Sequence, residues 1–173
     1  MITCRRATRD DVELFREVRL QALQDSPDAF GSTHESASAR DLASWEEQLF
    51  STVSGDLRNT QFVFSGDECV GLAALYRERD VPSGELLMMW VAPHYRGSTA
   101  ASTLVDALIR WADGCGLRSV ALVVTDSNLR AIKFYDSQGF IPTGEMVDVD
   151  VNRNLRGIRM EIQLREQVGA GDG

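Results

Sequence analysis

The chain predicts an α/β (α+β) fold: one mixed central sheet of about six to seven strands with helices on both faces. Three observations carry that expectation. Strand-like and helix-like segments follow one another in the order β-α-α-β-β-β-α-β-α-β-β, which needs a sheet covered on two sides. Glu85 to Val91 and Ser119 to Val124 are almost continuously apolar, the pattern of strands buried on both faces. The 173 residues suit a single domain with a substantial core, and no repeat or low-complexity linker divides them. That domain is expected over residues 1–165, followed by a flexible tail over residues 166–173.

Taken in order, Ile2 to Arg6 starts the sheet. Thr8 and Asp11 have the spacing of a capping box, and Val12, Phe15, Val18 and Ala22 then share one helical face as far as Gln24. Ser26-Pro27-Asp28 ends that helix, and a second is expected from Ala39 to about Thr52, anchored by Leu42, Trp45 and Leu49. Gln61 to Phe64 and Glu68 to Tyr76 flank Ser65-Gly66-Asp67, a hairpin signal. Arg77 to Gly84 reads as a loop. Ala101, Leu104, Val105, Leu108 and Trp111 mark the next helix, which Gly114 and Gly116 close. After the strand at Ser119, a short helix runs from Asn128 to Gln138 and stops at Gly139. Phe140 to Val151 and Ile158 to Leu164 supply the last strands.

With 43% hydrophobic and 25% charged residues, the composition is that of a soluble globular protein. A formal net charge of -8 opposes binding to nucleic acid and mildly favours a cationic substrate. Two histidines and three scattered cysteines (Cys4, Cys69, Cys115), with no C-x-x-C, offer no metal site, and reduced thiols are expected. The sequence has no signal-peptide core and no apolar run of bilayer length. No membrane role and a cytoplasmic location are the expectations.

The most informative stretch is Trp90 to Ala107, WVAPHYRGSTAASTLVDA: a strand, a turn, an Arg-Gly-small-residue loop and at once a helix. Consecutive amides at the positive end of a helix dipole suit a phosphate. The loop has neither the G-x-x-x-x-G-K-[ST] of a P-loop nor the G-x-G-x-x-G of a dinucleotide site. Arg96, Gly97, Ser98, Thr99, Ala100, Ala101 and Ser102 suit instead a pyrophosphate held by amides and by hydroxyls such as Ser98.

At these residues the chain resembles the GNAT superfamily of acetyl-CoA-dependent N-acetyltransferases. The family's loop, Q/R-x-x-G-x-G/A, is matched by Arg96 to Ala101 except that Thr99 stands where the pattern has glycine. Val91-x-Pro93-x-Tyr95-Arg96-Gly97 upstream and Asn128-x-x-Ala131-x-x-Phe134-Tyr135-x-x-x-Gly139-Phe140 downstream also look like that family. The resemblance implies a single-domain GNAT-like fold and acetyl-CoA as co-substrate without a metal. Glycine at position 99 would permit positive φ, where a β-branched threonine would be an outlier. Thr99 is therefore expected in right-handed geometry, in the first helical turn, with its amide available. The competing reading is a weakened cofactor site.

Acetyl transfer to an amine needs a neutral nucleophile, stabilisation of the oxyanion and a proton for the departing thiolate. Glu85, at the head of the buried strand, is the candidate base; it stands where some members of the family place a glutamate, and the edge of an apolar strand would raise its pKa. A solvated residue at a strand end, with a water chain as base, is the alternative. The resemblance makes Tyr135 the general acid at the CoA sulfur; alone, it would read as a core aromatic. Asn128 is at once a helix N-cap and, by resemblance, a contact to the pantetheine arm. Met89, Trp90 and Val91 are expected to offer backbone groups to that arm where the strand splays from its neighbour. His94 and His34 read as surface residues.

The acceptor side is less legible. The resemblance puts one wall of the amine site at Ser26 to Ser38, including Phe30, His34 and Glu35, with Tyr76 and the Arg77–Gly84 loop opposite. Glu35 and Glu78 are single loop charges, which are usually just solvated. A small amine or an amino-acid-like compound is the expected acceptor; the alternatives are a protein N-terminus or lysine, or a non-catalytic acyl-CoA-binding domain. A homodimer through the late strands stays open.

Overall fold

A computed structural model describes residues 1–164. The expected tail, and the last residue of the expected domain, lie outside them. In chain order the elements are β1 (Ile2–Arg6), α1 (Val12–Asp25), α2 (His34–Ser38), α3 (Leu42–Phe50), β2 (Arg58–Ser65), β3 (Glu68–Arg77), β4 (Ser83–Val91), α4 (Ala100–Gly114), β5 (Ser119–Thr125), α5 (Leu129–Ser137), β6 (Ile141–Asp150) and β7 (Leu155–Gln163). Among the described residues the strands form one mixed sheet of seven, in the order β1-β2-β3-β4-β5-β7-β6. The fold class matches the sequence expectation, and so does the order of elements except for one additional helix between β1 and β2.

Two antiparallel blocks, β1 to β4 and β5-β7-β6, meet at one parallel join. That join is short: β5 pairs with β4 only where Ser83 to Glu85 face Ser119 to Ala121. Beyond it β5 follows β7, from Ser119 opposite Gln163 to Thr125 opposite Gly157. Gly157 permits that approach, since a Cβ there would lie 2.6 Å from the Val123 side chain. The two blocks diverge and leave a cleft between β4 and β5. For this reason β4 is not buried on both faces, as its apolar run suggests; it alternates, with Leu86, Met88 and Trp90 buried and Glu85, Leu87 and Met89 half-buried.

A core lies on each side of the sheet. On one face α4 packs Leu104, Val105 and Leu108 against Leu75 and Leu122. On the other, α1 and α3 bury Phe15, Trp45 and Leu49 against Phe62 and Leu72. Phe15 and Trp45 meet edge to face with centroids 5.6 Å apart, an arrangement worth about 0.5–1.5 kcal/mol beyond the area it buries.

The helix expected from Ala39 to about Thr52 is α3, which starts only at Leu42, and a further short helix, α2, precedes it. Thr33 Oγ1 accepts the Ser36 amide at 3.1 Å and starts the short α2. Asp41 Oδ1 accepts the Ser44 amide at 2.9 Å and starts α3. With α3 beginning at Leu42, that side chain turns outward and is 50% exposed, so Trp45 and Leu49 anchor the helix without it. On α1 the buried face holds a charge the apolar spacing does not announce: Arg19, between Val18 and Ala22.

Candidate functional site

The cleft begins with a fault in β4. On β3, Leu72 pairs with Trp90 and Ala74 with Leu87, so Met88 and Met89 together oppose Ala73. Met88 takes φ +56°, a conformation that costs a non-glycine residue of order 1–3 kcal/mol. The bulge removes two residues from regular pairing with β3 at the mouth of the gap. Gly71 makes room beside it, since a Cβ there would come within 2.5 Å of the Trp90 carbonyl oxygen.

Past β4 the chain turns through a single 3-10 turn at Pro93–Tyr95 and enters α4 over Gly97, at φ +84°. Thr99 has φ -77° and ψ 0°, the right-handed geometry expected of it. Its carbonyl accepts the Thr103 amide at 2.9 Å. The amides of Gly97, Thr99, Ala101 and Ser102 have no acceptor among the described residues, while that of Ala100 donates to Ser98 Oγ. The hydroxyls behave differently from expectation. Ser98 Oγ donates to the Tyr95 carbonyl at 2.6 Å and Ser102 Oγ to the Thr99 carbonyl at 3.0 Å. Both protons are committed to the loop itself, so the anion-binding capacity here is mainly backbone.

Arg96 is drawn away from the loop. Its Nε donates to the Val91 carbonyl at 3.0 Å, and its Nη2 pairs with Asp25 at the end of α1. Asp25 also accepts from Trp90 Nε1 at 2.9 Å and from Ser26 Oγ at 2.7 Å. Burial opposes the Asp25 charge, but hydrogen bonds from Trp90, Ser26 and Arg96 outweigh it and hold the carboxyl below its ordinary range. A single carboxylate thus ties α1, β4 and the loop together. Nothing in the sequence marks Asp25 for that task.

The cleft holds two contiguous compartments, of about 520 and 410 Å³. Met89, Phe30, Asn128, Ala131 and Tyr135 line both. The smaller adds Trp90, Val91, Arg96, Gly97 and Ala101; the larger adds Glu85, Arg19, Gln48 and the apolar side chains of β5.

Asn128 Oδ1 accepts the Ala131 amide at 3.2 Å, so it caps α5 as its type suggests. Tyr135 is 7% exposed, with Phe134 and Phe140 rings 5.3 and 5.7 Å away. Its hydroxyl makes no hydrogen bond among the described residues and is not among the sealed, unpaired polar atoms. Burial pushes the phenol well above its ordinary range, so it is fully protonated at neutral pH. Glu85 faces the larger compartment, but Arg159 on β7 grips it at 3.0 and 3.4 Å, a partner invisible to sequence spacing. It is an ion-paired, half-buried carboxylate rather than one isolated in an apolar strand.

Of the expected acceptor walls, Phe30 is present and 8% exposed. Arg153, in the β6–β7 turn, holds its segment by donating to the carbonyls of Pro27, Phe30 and Gly31 at 2.7, 2.6 and 3.1 Å. His34, Glu35, His94 and Glu78 are exposed, and neither they nor Tyr76 line the two compartments. None of the three thiols lines them either, and burial pushes Cys4 and Cys69 to about 11.

A family model described as the acetyltransferase (GNAT) family matches residues 20–140. Mycothiol acetyltransferase of Stackebrandtia nassauensis is 31% identical over 147 residues, covering 85% of this chain and 45% of that protein. The chain spans about half the length of the curated relatives it matches. An acetyltransferase of the GNAT family from Streptococcus pneumoniae superposes with a TM-score of 0.81 at 19% identity, over 95% of this chain and 100% of that one. Spermidine N-acetyltransferase from Vibrio cholerae, in complex with CoA and spermine, superposes at 0.76 with 20% identity, over 94% and 95%. Both solved structures share the fold.

Proposed function

The chain belongs to the GNAT family of acetyltransferases, and from that premise we propose that it transfers the acetyl group of acetyl-CoA to the primary amine of a small molecule. One observation carries the reading: β4 and β5 part beside the free amides of α4, and the phenol of Tyr135 borders both resulting compartments. Acetyl-CoA supplies the acyl group as an activated thioester. The amides of Gly97, Thr99, Ala101 and Ser102 fit its pyrophosphate, with the dipole of α4 adding to their charge. Arg96 orders that loop through Val91 and Asp25 and borders the smaller compartment. The bulged backbone of Met89, with Trp90 and Val91 after it, and the side-chain amide of Asn128 suit the amide-rich pantetheine arm.

Tyr135 is suited to protonate the departing sulfur, because burial keeps its proton in place until charge develops there. Removal of the amine's proton falls to Glu85 or to water beside it. The pairing with Arg159 favours Glu85 as a group that orients the acceptor's ammonium. With no thiol on the cleft, direct attack of the amine within a ternary complex is the economical route. The larger compartment, about 520 Å³, has the size of a small-molecule site.

Thiol release from acetyl-CoA across a panel of amines tests the reading, alongside a thermal-shift titration with CoA. Saturable stabilisation by CoA together with amine-dependent thiol release is the expected result. Failure of CoA to stabilise the protein overturns the proposal. Stabilisation without turnover of any amine points to an acyl-CoA-binding domain instead.

A further inference from the structure

The larger compartment has a buried cation with no hydrogen-bond or ion-pair partner among the described residues. Arg19 is 8% exposed, yet its guanidinium makes no hydrogen bond or ion pair among the described residues, and Nη1 is sealed without a partner. Its Cζ lies 4.5 Å from the centroid of the Phe30 ring. It borders the larger compartment and a smaller recess shared with Ser32, Arg40 and Gln48. Burial and, behind it, Arg40 push Arg19 down to about 10, against the opposing pull of Tyr76. The side chain therefore stays charged at neutral pH.

The surroundings sharpen the anomaly. The chain carries 26 acidic residues against 18 basic ones, yet none of the acids pairs with Arg19 or Arg40 among the described residues. Arg40 spends its donors on Ser44 and Gln48, at 2.8 to 3.1 Å, and stacks on Trp45. The hydroxyl of Tyr76 is another buried group without a partner among the described residues. A desolvated guanidinium is retained at a cost to stability unless an anion completes it. Stacking on Phe30 holds the planar fork beside the cavity, and that fork matches the two oxygens of a carboxylate.

We propose that Arg19 binds a carboxylate of the acceptor, so that the amine acetylated in this cleft belongs to an amino acid. The inference rests on the acetyl-transfer reading and names its substrate class. Arg19 takes the carboxylate at the inner wall, while Glu85, lining the same compartment, faces the ammonium end. The overall acidity of the protein suggests a cationic acceptor such as a polyamine, but the cavity presents a cation of its own.

The test uses matched triplets: phenylalanine, phenylalaninamide and phenethylamine, with the corresponding methionine and leucine sets. In the wild type, the amino acids are expected to exceed their amides and decarboxylated amines about 100-fold in kcat/KM, the scale of a charge-assisted pair. In Arg19→Met that preference disappears while stabilisation by CoA is unchanged, and Arg19→Lys restores part of it. Equal turnover with and without the carboxylate overturns the proposal and leaves acetyl transfer standing. If CoA binds but no amine is turned over, thermal shifts with the same triplets decide. Stabilisation of wild type and Arg19→Lys by the carboxylate-bearing members alone supports the assignment; equal shifts, or none, sink it.

Discussion

The two compartments of the cleft meet at Tyr135 but are built from different material. On the α4 side the polar groups are backbone amides left free by the start of a helix and by a left-handed glycine. On the α1 side they are side chains, Arg19, Glu85 and Gln48, delivered by three separate elements. Backbone donors serve any anion of the right size. Side-chain donors from separate elements select a particular molecule. On the reading proposed above, the first end takes the part common to every reaction of the cofactor and the second selects the acceptor.

The largest test of the division is at its border. Tyr135→Phe removes only a hydroxyl that bonds to nothing among the described residues, so Tm should hold while kcat falls on the order of 100-fold or more, with KM for acetyl-CoA little changed. An unchanged kcat, with chemistry rate-limiting, would remove Tyr135 as the acid. Next comes the backbone side. Gly97→Val puts a branched residue at φ +84°, which should weaken CoA binding about tenfold or more, read by calorimetry, as strain of order 1–3 kcal/mol distorts the loop. Acceptor preference among matched amines should not move.

Arg153→Ala frees the Phe30 segment from three carbonyl contacts. It should raise KM for the acceptor several-fold and leave CoA affinity intact, the mirror image of the glycine substitution. A smaller effect belongs to Asp25. Its folded carboxyl titrates below the ordinary value of 3.8, so its contribution to stability is complete above that value and is lost as pH falls through the lowered one. Asp25→Asn should flatten the acid limb of the stability curve below about pH 4. The smallest effect is at the irregular position of the loop. Thr99 already has right-handed geometry, so Thr99→Gly should change CoA affinity by no more than about twofold; a large gain would show that the threonine had weakened the site.

Legibility in the sequence tracks these materials. The succession of strands along the chain, the helix after the Arg-Gly loop and the geometry of Thr99 followed from periodicity and steric rules acting over a few neighbours. Within the span Ala39–Thr52 the helix starts only at Leu42 because Asp41 caps it there, and Thr33 starts a separate short helix ahead of that span; capping outweighs apolar spacing at both places. Arg19 went unnoticed because a charge inside an apolar face reads as ordinary until its burial is known. The partners of Arg96 and Glu85, namely Asp25 and Arg159, lie 71 and 74 positions away, beyond any local pattern.

By itself the sequence determined the sheet-and-helix class, the turn into a helix at Arg96 to Ser102 and the capped helix carrying Tyr135, because each depends on local backbone preferences and on repeating apolar spacing. Only the tertiary structure decided where β4 and β5 part, which hydroxyls of the loop are already committed, and that a guanidinium from α1 ends beside the cleft with no partner among the described residues. Those features depend on which distant groups arrive at a common point and lose their water there, and a one-dimensional pattern has no coordinate for that meeting.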